Sequence, residues 1–266
     1  MKQPLVSVLI GVYNEEDWVM QAVESIMHQS YDNLEIVIVN DGSTDGTLEI
    51  LENLQKHDKR IKIINQENTG LTKALNNGLK HCKGDYIARM DADNVSLLNR
   101  IKKQVAYMEA HPDCIVCGTW RRDIFPDGSS RDLKLPIKSK NIKRALVKTC
   151  VISHSSVMAK GDLLRAMKYN EKFRVSQDYE LWTRMGKHWN LGNVGEILTE
   201  AHHRKTSITR TTKVIEKLKY NLLIRVYAYL RLDCPWWYFI FIPKPIVEAL
   251  IPDSLIKKYV DWKMRK

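Results

Sequence analysis

Four short apolar runs fill the first third of the chain, each followed by a helix-spaced segment, and this alternation leaves few folds open. The runs are Leu5 to Val12 (Leu-Val-Ser-Val-Leu-Ile-Gly-Val), Glu35 to Asn40 (Glu-Ile-Val-Ile-Val-Asn), Ile61 to Ile64, and Tyr86 to Met90. Near-continuous β-prone runs of this kind suit strands covered on both faces. Between them, Trp18, Val19, Ala22, Val23, Ile26 and Met27 form one helical apolar stripe. Leu48, Ile50, Leu51 and Leu54 form a second, opened by the turn-rich Asp41-Gly42-Ser43-Thr44-Asp45-Gly46, and Leu71, Ala74, Leu75 and Leu79 a third after Gly70. Strands and helices alternating at this spacing predict an α/β fold, a doubly wound and mainly parallel sheet joined by right-handed crossovers.

Parallel strands place their C-terminal tips on one edge, where ligands of open α/β sheets collect. Three of the tips carry acids or amides: Asn14 and Glu15, then Asp41, then Asp91 and Asp93. A buried strand tolerates charge only where it emerges, so Asp91 and Asp93 belong at the end of the fourth. Two carboxylates at such a tip can converge on one hard cation, which in turn can hold phosphate oxygens. Taken alone, an Asp-x-Asp is more often a solvated turn than a metal site; the alignment of three polar tips argues for the site. Neither a Gly-x-Gly-x-x-Gly after the first strand nor a Gly-x-x-x-x-Gly-Lys-Ser/Thr loop occurs.

The 266 residues suffice for one large core and a smaller appendage. The N-terminus shows no signal-peptide pattern, and no apolar run is long enough to cross a bilayer. Five scattered cysteines suit a reducing cytoplasm, and Cys114-Ile115-Val116-Cys117, inside an apolar run with no second pair, reads as core packing rather than a metal site. The formal charge of +11 is concentrated late: from residue 201 onward there are 14 Lys or Arg against 5 Asp or Glu. Such a basic tail on a near-neutral body points to an anionic membrane surface, and less to nucleic acid.

Farther along, Ile101, Val105 and Met108 mark a helix, Ile115 to Thr119 a strand and Pro126-Asp127-Gly128 a turn. Segment 129–150, basic and polar, reads as a mobile loop, and Val151 to Ala159 as another strand. In Ser176-Gln177-Asp178-Tyr179-Glu180-Leu181-Trp182, Ser176 suits a helix N-cap and puts Asp178 in the first turn, where the dipole favours its ionised form. Local pattern alone leaves Asp178 open between a helix-start residue and a functional one.

Taken in order, these pieces resemble the family 2 glycosyltransferases of GT-A fold, in particular those building bacterial surface polysaccharides and O-antigens. The resemblance spans roughly residues 5–210 and rests on Val-Ser-Val-Leu-Ile-Gly-Val-Tyr-Asn-Glu-Glu (6–16), Asn-Asp-Gly-Ser-Thr-Asp-Gly-Thr (40–47) and Asn-Thr-Gly-Leu-Thr-Lys-Ala-Leu-Asn-Asn-Gly (68–78). It continues through Ala-Arg-Met-Asp-Ala-Asp (88–93), Arg100, Gln104 and Gln-Asp-Tyr-Glu-Leu-Trp (177–182). It implies a catalytic domain over 1–210, with a nucleotide-binding half (1–95) and an acceptor half (96–210), followed by an extension over 211–266. Val12, Tyr13, Glu15 and Asp41 would hold base and ribose, Lys73 would lie near the phosphates, and Asp91, Ala92 and Asp93 would meet the ribose and diphosphate. Asp93, with Asp91, would bind Mn²⁺ or Mg²⁺, and Asp178 would be the general base of an inverting transfer from a UDP-hexose or UDP-N-acetylhexosamine. The acceptor would be a glycan on a polyprenyl diphosphate, met by a cytoplasmic enzyme peripheral on the inner face of the membrane.

The chain departs from the family pattern in three places. Gln177 replaces an acid before the base, Lys73 replaces an arginine and loses its planar fork, and Ala201-His202-His203-Arg204 exchanges the order of a late Arg and His. His202 and His203 remain open between metal or diphosphate contact and a structural role. Residues 213–231 predict an amphipathic basic helix, with Val214, Leu218, Leu222, Val226 and Tyr229 on one side. The segment Trp236-Trp237-Tyr238-Phe239-Ile240-Phe241, between Pro235 and Pro243, suits either a headgroup interface or packing onto the catalytic domain. The competing reading is a non-catalytic binding protein on a degenerate transferase fold; no RNA-recognition or zinc-finger pattern supports nucleic acid as its partner.

Overall fold

The computed structural model describes residues 3–203, 214–244 and 246. Arg204, and the tail residues 247–266 with their share of the basic charge, lie outside the described residues. The first half runs β1 (Val6–Val12), α1 (Val19–Met27), β2 (Leu34–Asp41), α2 (Thr47–His57), β3 (Ile61–Gln66), α3 (Leu71–Leu79) and β4 (Tyr86–Asp91). A short β5 (Asn94–Ser96) and α4 (Arg100–Ala110) lead to β6 (Cys114–Ile124), β7 (Ser130–Leu133), α5 (Ser139–Leu146), β8 (Met158–Lys160) and α6 (Gly161–Met167). Then come α7 (Gln177–Gly186), β9 (Asn190–His202), α8 (Val214–Arg231) and a 3₁₀ turn over Trp236–Phe241.

The described strands form one sheet in the order β3-β2-β1-β4-β8-β6-β9-β5, with β7 on β6. The first four pair parallel, as their spacing predicts, and β6 and β9 also run parallel. Short β8 runs antiparallel between β4 and β6 and joins the two parallel parts. Alternation along the strands divides the core. Val8, Ile10, Ile36 and Ile38 face α1, α2 and α4; Leu9, Val37, Val39 and Ile87 face the side where α3, α5, α7 and α8 pack. Cys114 and Cys117 are buried and unbridged, as packing residues should be.

Two expectations are corrected. Segment 129–150 is no mobile loop: Ser130–Leu133 pairs with β6 as a hairpin, and α5 buries Ile142 and Leu146. Within Val151 to Ala159, only Met158 and Ala159 lie in a strand; His154–Ser156 form a 3₁₀ turn. Serines cause this, because Ser156 N and Oγ both bond to Ser153 O while Ser156 Oγ accepts from Thr119 N, replacing a strand's ladder with local bonds.

Candidate active site

Register aligns the strand tips. Val12 lies opposite Asn40, Asp41 opposite Gln66 and Gly11 opposite Asp91. The loops leaving these tips are stitched to one another. Asn14, at φ 52°, accepts from Thr44 N through Oδ1 (2.8 Å), Glu15 N donates to Thr47 Oγ1 (2.8 Å), and Glu16 Oε2 accepts from Gly46 N (2.7 Å). Buried Asp41 ties down the third loop: Oδ1 accepts from Thr69 N (2.9 Å) and Gln66 Nε2 (2.7 Å), and Oδ2 from Gly70 N (2.8 Å). Gly42, at φ 74°, is required here, since a Cβ would come within 2.7 Å of Asn68 N. Tyr13 and Lys73 are exposed along this edge, Val12 and Ala92 are buried beneath it, and Glu15 is half-buried.

Asp91 ends β4 with its side chain 37% exposed and paired to Nη2 of Arg89, which is fully buried. Arg89 Nε and Nη1 have no hydrogen-bond partner among the described residues. Burial opposes the charge on this guanidinium, yet Asp91 outweighs it and raises its pKa. Arg100 braces the same strand from below, and Gln104 accepts from Arg100 Nε while tying it to the 153–156 turn. Arg100 Nη2 donates to Arg89 O (2.7 Å) and Nη1 to Ser96 Oγ (2.8 Å), while Gln104 Nε2 donates to Ser156 O (2.9 Å).

The tip residues fit a divalent cation held largely through substrate oxygens. Asn94 pairs with Ala201, so Asp93 and His202 are the next residues outward on paired strands. His202 Nε2 is buried without a hydrogen-bond partner among the described residues, and the ring leans on Trp18 with centroids 5.2 Å apart. Carboxylates suit Mg²⁺ or Mn²⁺, and an imidazole is a common ligand of first-row transition metals. Among the described residues no three His, Cys, Asp or Glu side chains gather around one point. Such an open arrangement matches cations bound through one or two carboxylates plus phosphate oxygens. His203 faces elsewhere: its Nε2 lies 3.2 Å from Asp123 Oδ1 and its ring stacks on Phe125.

Asp178 lies in the first turn of α7. Burial raises its pKa, while amide donors of that turn, at Tyr179 and Asp178 itself, and the Arg89 charge pull it back. Cys150 Sγ is 3.9 Å from Oδ2. The expected Ser176 cap does not form: Ser176 has φ 58°, and its hydroxyl donates to Asn221 of α8 (2.9 Å) instead of capping α7. Glu180 is engaged with Arg184 (2.8 Å), which also holds Met167 O and Lys168 O.

Several residues around Asp178 carry no role in the sequence reading. Charge interactions link Arg89 to Asp91, Asp178, Tyr169 and His154. His154 Nε2 and Tyr169 OH are 2.9 Å apart; burial holds the imidazole pKa well down and the phenol's up. Arg121 donates to Ser153 Oγ (3.0 Å) and pairs with buried Asp123 (2.8 Å). Only Arg89 left a local signal, as a charge inside an apolar strand run; Tyr169 interacts with Asp178 only through the fold.

Comparison with known proteins gives the family and the fold. The pattern of the family described as Glycosyl transferase family 2 matches residues 7–166. The chain is 33% identical over 264 residues to the putative glycosyltransferase EpsE of Bacillus subtilis, spanning 96% of this chain and 93% of that protein. It is 32% identical over 182 residues to the amylovoran biosynthesis glycosyltransferase AmsE of Erwinia amylovora, spanning 67% and 68%. TarS of S. aureus, solved with UDP-GlcNAc, superposes at TM-score 0.74 and 17% identity over 91% of this chain and 71% of that one. Mannosyltransferase PcManGT of Pyrobaculum calidifontis, solved with GDP-Man and Mn²⁺, superposes at 0.66 and 18% over 99% and 81%. The GT-A-like fold expected from the sequence is shared with both.

Proposed function

The chain belongs to glycosyl transferase family 2, and we propose that it moves a hexose or N-acetylhexosamine from a UDP-sugar, with inversion, onto a hydroxyl of a lipid-linked glycan in bacterial surface-polysaccharide synthesis. One observation carries this reading: a carboxylate of raised pKa, Asp178, shares the buried Arg89 charge with Asp91 at the end of β4. The relatives agree with this reading, since AmsE is an amylovoran biosynthesis glycosyltransferase and TarS is solved with UDP-GlcNAc.

In this reading the uridine and ribose lie over Val12, Tyr13, Glu15 and Asp41, with Lys73 and Asp91-Ala92-Asp93 around the diphosphate. Asp93 and Asp91 would hold Mn²⁺ or Mg²⁺, and His202, beside Asp93, would be a further donor. When bound, the cation stabilises the charge developing on the departing diphosphate. Asp178 takes the proton of the acceptor hydroxyl as its oxygen bonds to the anomeric carbon. The bond to the diphosphate oxygen breaks on the opposite face, and its electron pair leaves with UDP. A carboxylate with raised pKa is suited to that transfer. One base and no protein nucleophile give a single displacement, hence inversion; a glycosidase instead flanks the bond with two carboxylates.

The C-terminal segment supports a membrane-borne acceptor. Trp236, Phe239, Ile240 and Leu230 are exposed, Trp236 by 75% and Leu230 by 68%. Lys148 lies over the rings of Phe241 (4.1 Å) and Tyr238 (4.7 Å), holding the aromatic turn against the body. Among the described residues no helix is long and apolar enough to cross a membrane. Exposed aromatics beside basic residues suit a headgroup layer.

A screen of UDP-glucose, UDP-galactose, their N-acetyl forms and GDP-mannose tests the proposal, with membrane lipid extract as acceptor and released nucleoside diphosphate as readout. Turnover of a UDP-sugar that stops with EDTA supports it. Turnover of GDP-mannose alone would overturn the donor assignment, and DNA binding without any turnover would favour the binding-protein reading.

A further inference from the structure

We infer that α8 belongs to the catalytic apparatus: Asn221 and Tyr220 position the loop that aims Asp178. The inference rests on Asp178 being the base. Segment 170–176 enters α7 through Ser176, whose φ of 58° lies in the left-handed region. A side chain with a Cβ is disfavoured there, and only glycine visits the region freely. The conformation therefore needs an outside restraint. The Ser176 hydroxyl donates to Asn221 Oδ1 at 2.9 Å. One residue earlier on α8, Tyr220 donates its hydroxyl to Lys172 O (2.7 Å) and sets its ring against Phe173, with centroids 4.8 Å apart.

The same segment is held from the donor side. Thr72 Oγ1 of α3 donates to Phe173 O (3.0 Å), and Asn76 Nδ2 donates to Tyr169 O and Glu171 Oε1, both at 2.9 Å. Ser176 O accepts from Glu180 N (3.0 Å). The dihedrals at Ser176 thus set the direction in which α7 departs, and with it the position of Asp178 two residues on. The clamp is firmly seated, because α8 buries Ile224 and Ala228 in the core shared with Leu181 and Trp182 of α7. Farther along the same helix, Arg225 Nη1 donates to Phe241 O (3.1 Å) and Tyr229 OH to Trp236 O (2.8 Å), so one rigid element carries both clamp and exposed aromatics. Asn221 and Tyr220 are positioning residues: they act through Ser176 and the loop.

The test uses the full chain and UDP release from whichever of UDP-glucose and UDP-N-acetylglucosamine the screen selects, with amide hydrogen exchange beside it. Asn221→Ala is expected to lower kcat by about 5–30-fold, the scale of one restrained left-handed residue. KM for the donor should stay within about twofold, because the donor edge is untouched. Asn221→Asp still accepts the serine hydroxyl and should retain activity. Adding Ser176→Gly to Asn221→Ala should restore kcat to within about threefold, since glycine needs no restraint. Ser176→Ala, with Asn221 intact, should repeat the loss and replaces Asn221→Ala as the test if that variant unfolds. Exchange at the Glu180 amide should quicken in Asn221→Ala and return in the double variant. Wild-type kcat in Asn221→Ala, or no recovery on adding Ser176→Gly, would overturn the inference. Asp178→Asn, run alongside, separates the two readings: if it keeps turnover the base is misassigned, while the Glu180 amide still reports whether the clamp exists.

Discussion

Asp41 and Asp178 are both carboxylates where a helix meets the sheet, and their surroundings differ. Asp41 is buried and satisfied: both oxygens accept amide protons from the loop that opens α3, and that loop is near in sequence. Asp178 is held by its own first turn, a thiol at 3.9 Å and the charge of Arg89, and burial leaves its pKa raised. A carboxylate whose two oxygens are both engaged by amide donors braces a loop; one whose pKa is raised by burial is readier to accept a proton. In the proposed reaction the two halves of the site would therefore do different work, Asp41 bracing the donor edge and Asp178 accepting a proton.

The largest expected effect on stability lies on the braced side. Asp41→Ala strips the amide donors of Thr69 and Gly70 of a charged acceptor and should cost about 3 kcal/mol of stability in urea unfolding. A cost below about 0.5 kcal/mol would place Asp41 among ordinary surface residues and break the comparison. Next comes Asp93→Ala, expected to weaken UDP-sugar binding about 10–100-fold with Mn²⁺ present and to change little in EDTA, by calorimetry. Equal affinity with and without metal in both proteins would remove Asp93 from the metal's ligands.

The same contrast explains what was legible. The tips at Val12, Asp41 and Asp91 follow from strand runs and turn residues that lie side by side in sequence, so period and burial suffice. The surroundings of Asp178 come from β4, the 150–156 segment, Tyr169 and α8, and no local pattern joins these. Segment 129–150 was obscured by its charge: α5 sets only Ile142 and Leu146 into the core, amid Lys140, Lys143 and Arg144. Ser176 looked like a cap because its type and place fit, but its left-handed backbone turns the hydroxyl toward Asn221.

Two smaller effects sharpen the picture. Replacing Trp236 and Phe239 by Ala should lower partition onto anionic vesicles by about tenfold, through lost apolar contact, with the remaining binding sensitive to salt. Unchanged partition would mean the aromatic turn is not the anchor. Arg89→Met should leave the alkaline plateau of kcat nearly intact and move the acid limb. Without that positive charge Asp178 protonates at higher pH, so activity is lost sooner as pH falls. An unmoved limb would show that Arg89 does not act on the base.

Single-turnover transfer by Asp178→Asn decides whether Asp178 takes the acceptor's proton. The amide keeps the shape and one acceptor oxygen of the side chain but cannot accept a proton. With a UDP-sugar and acceptor bound, the chemical step should slow about 10²–10⁴-fold while donor affinity stays near wild type. Glu180→Gln, whose loss breaks only the pair with Arg184, should remain within about tenfold of wild type. Near-wild-type transfer by Asp178→Asn, or an equal loss in Glu180→Gln, would contradict the assignment.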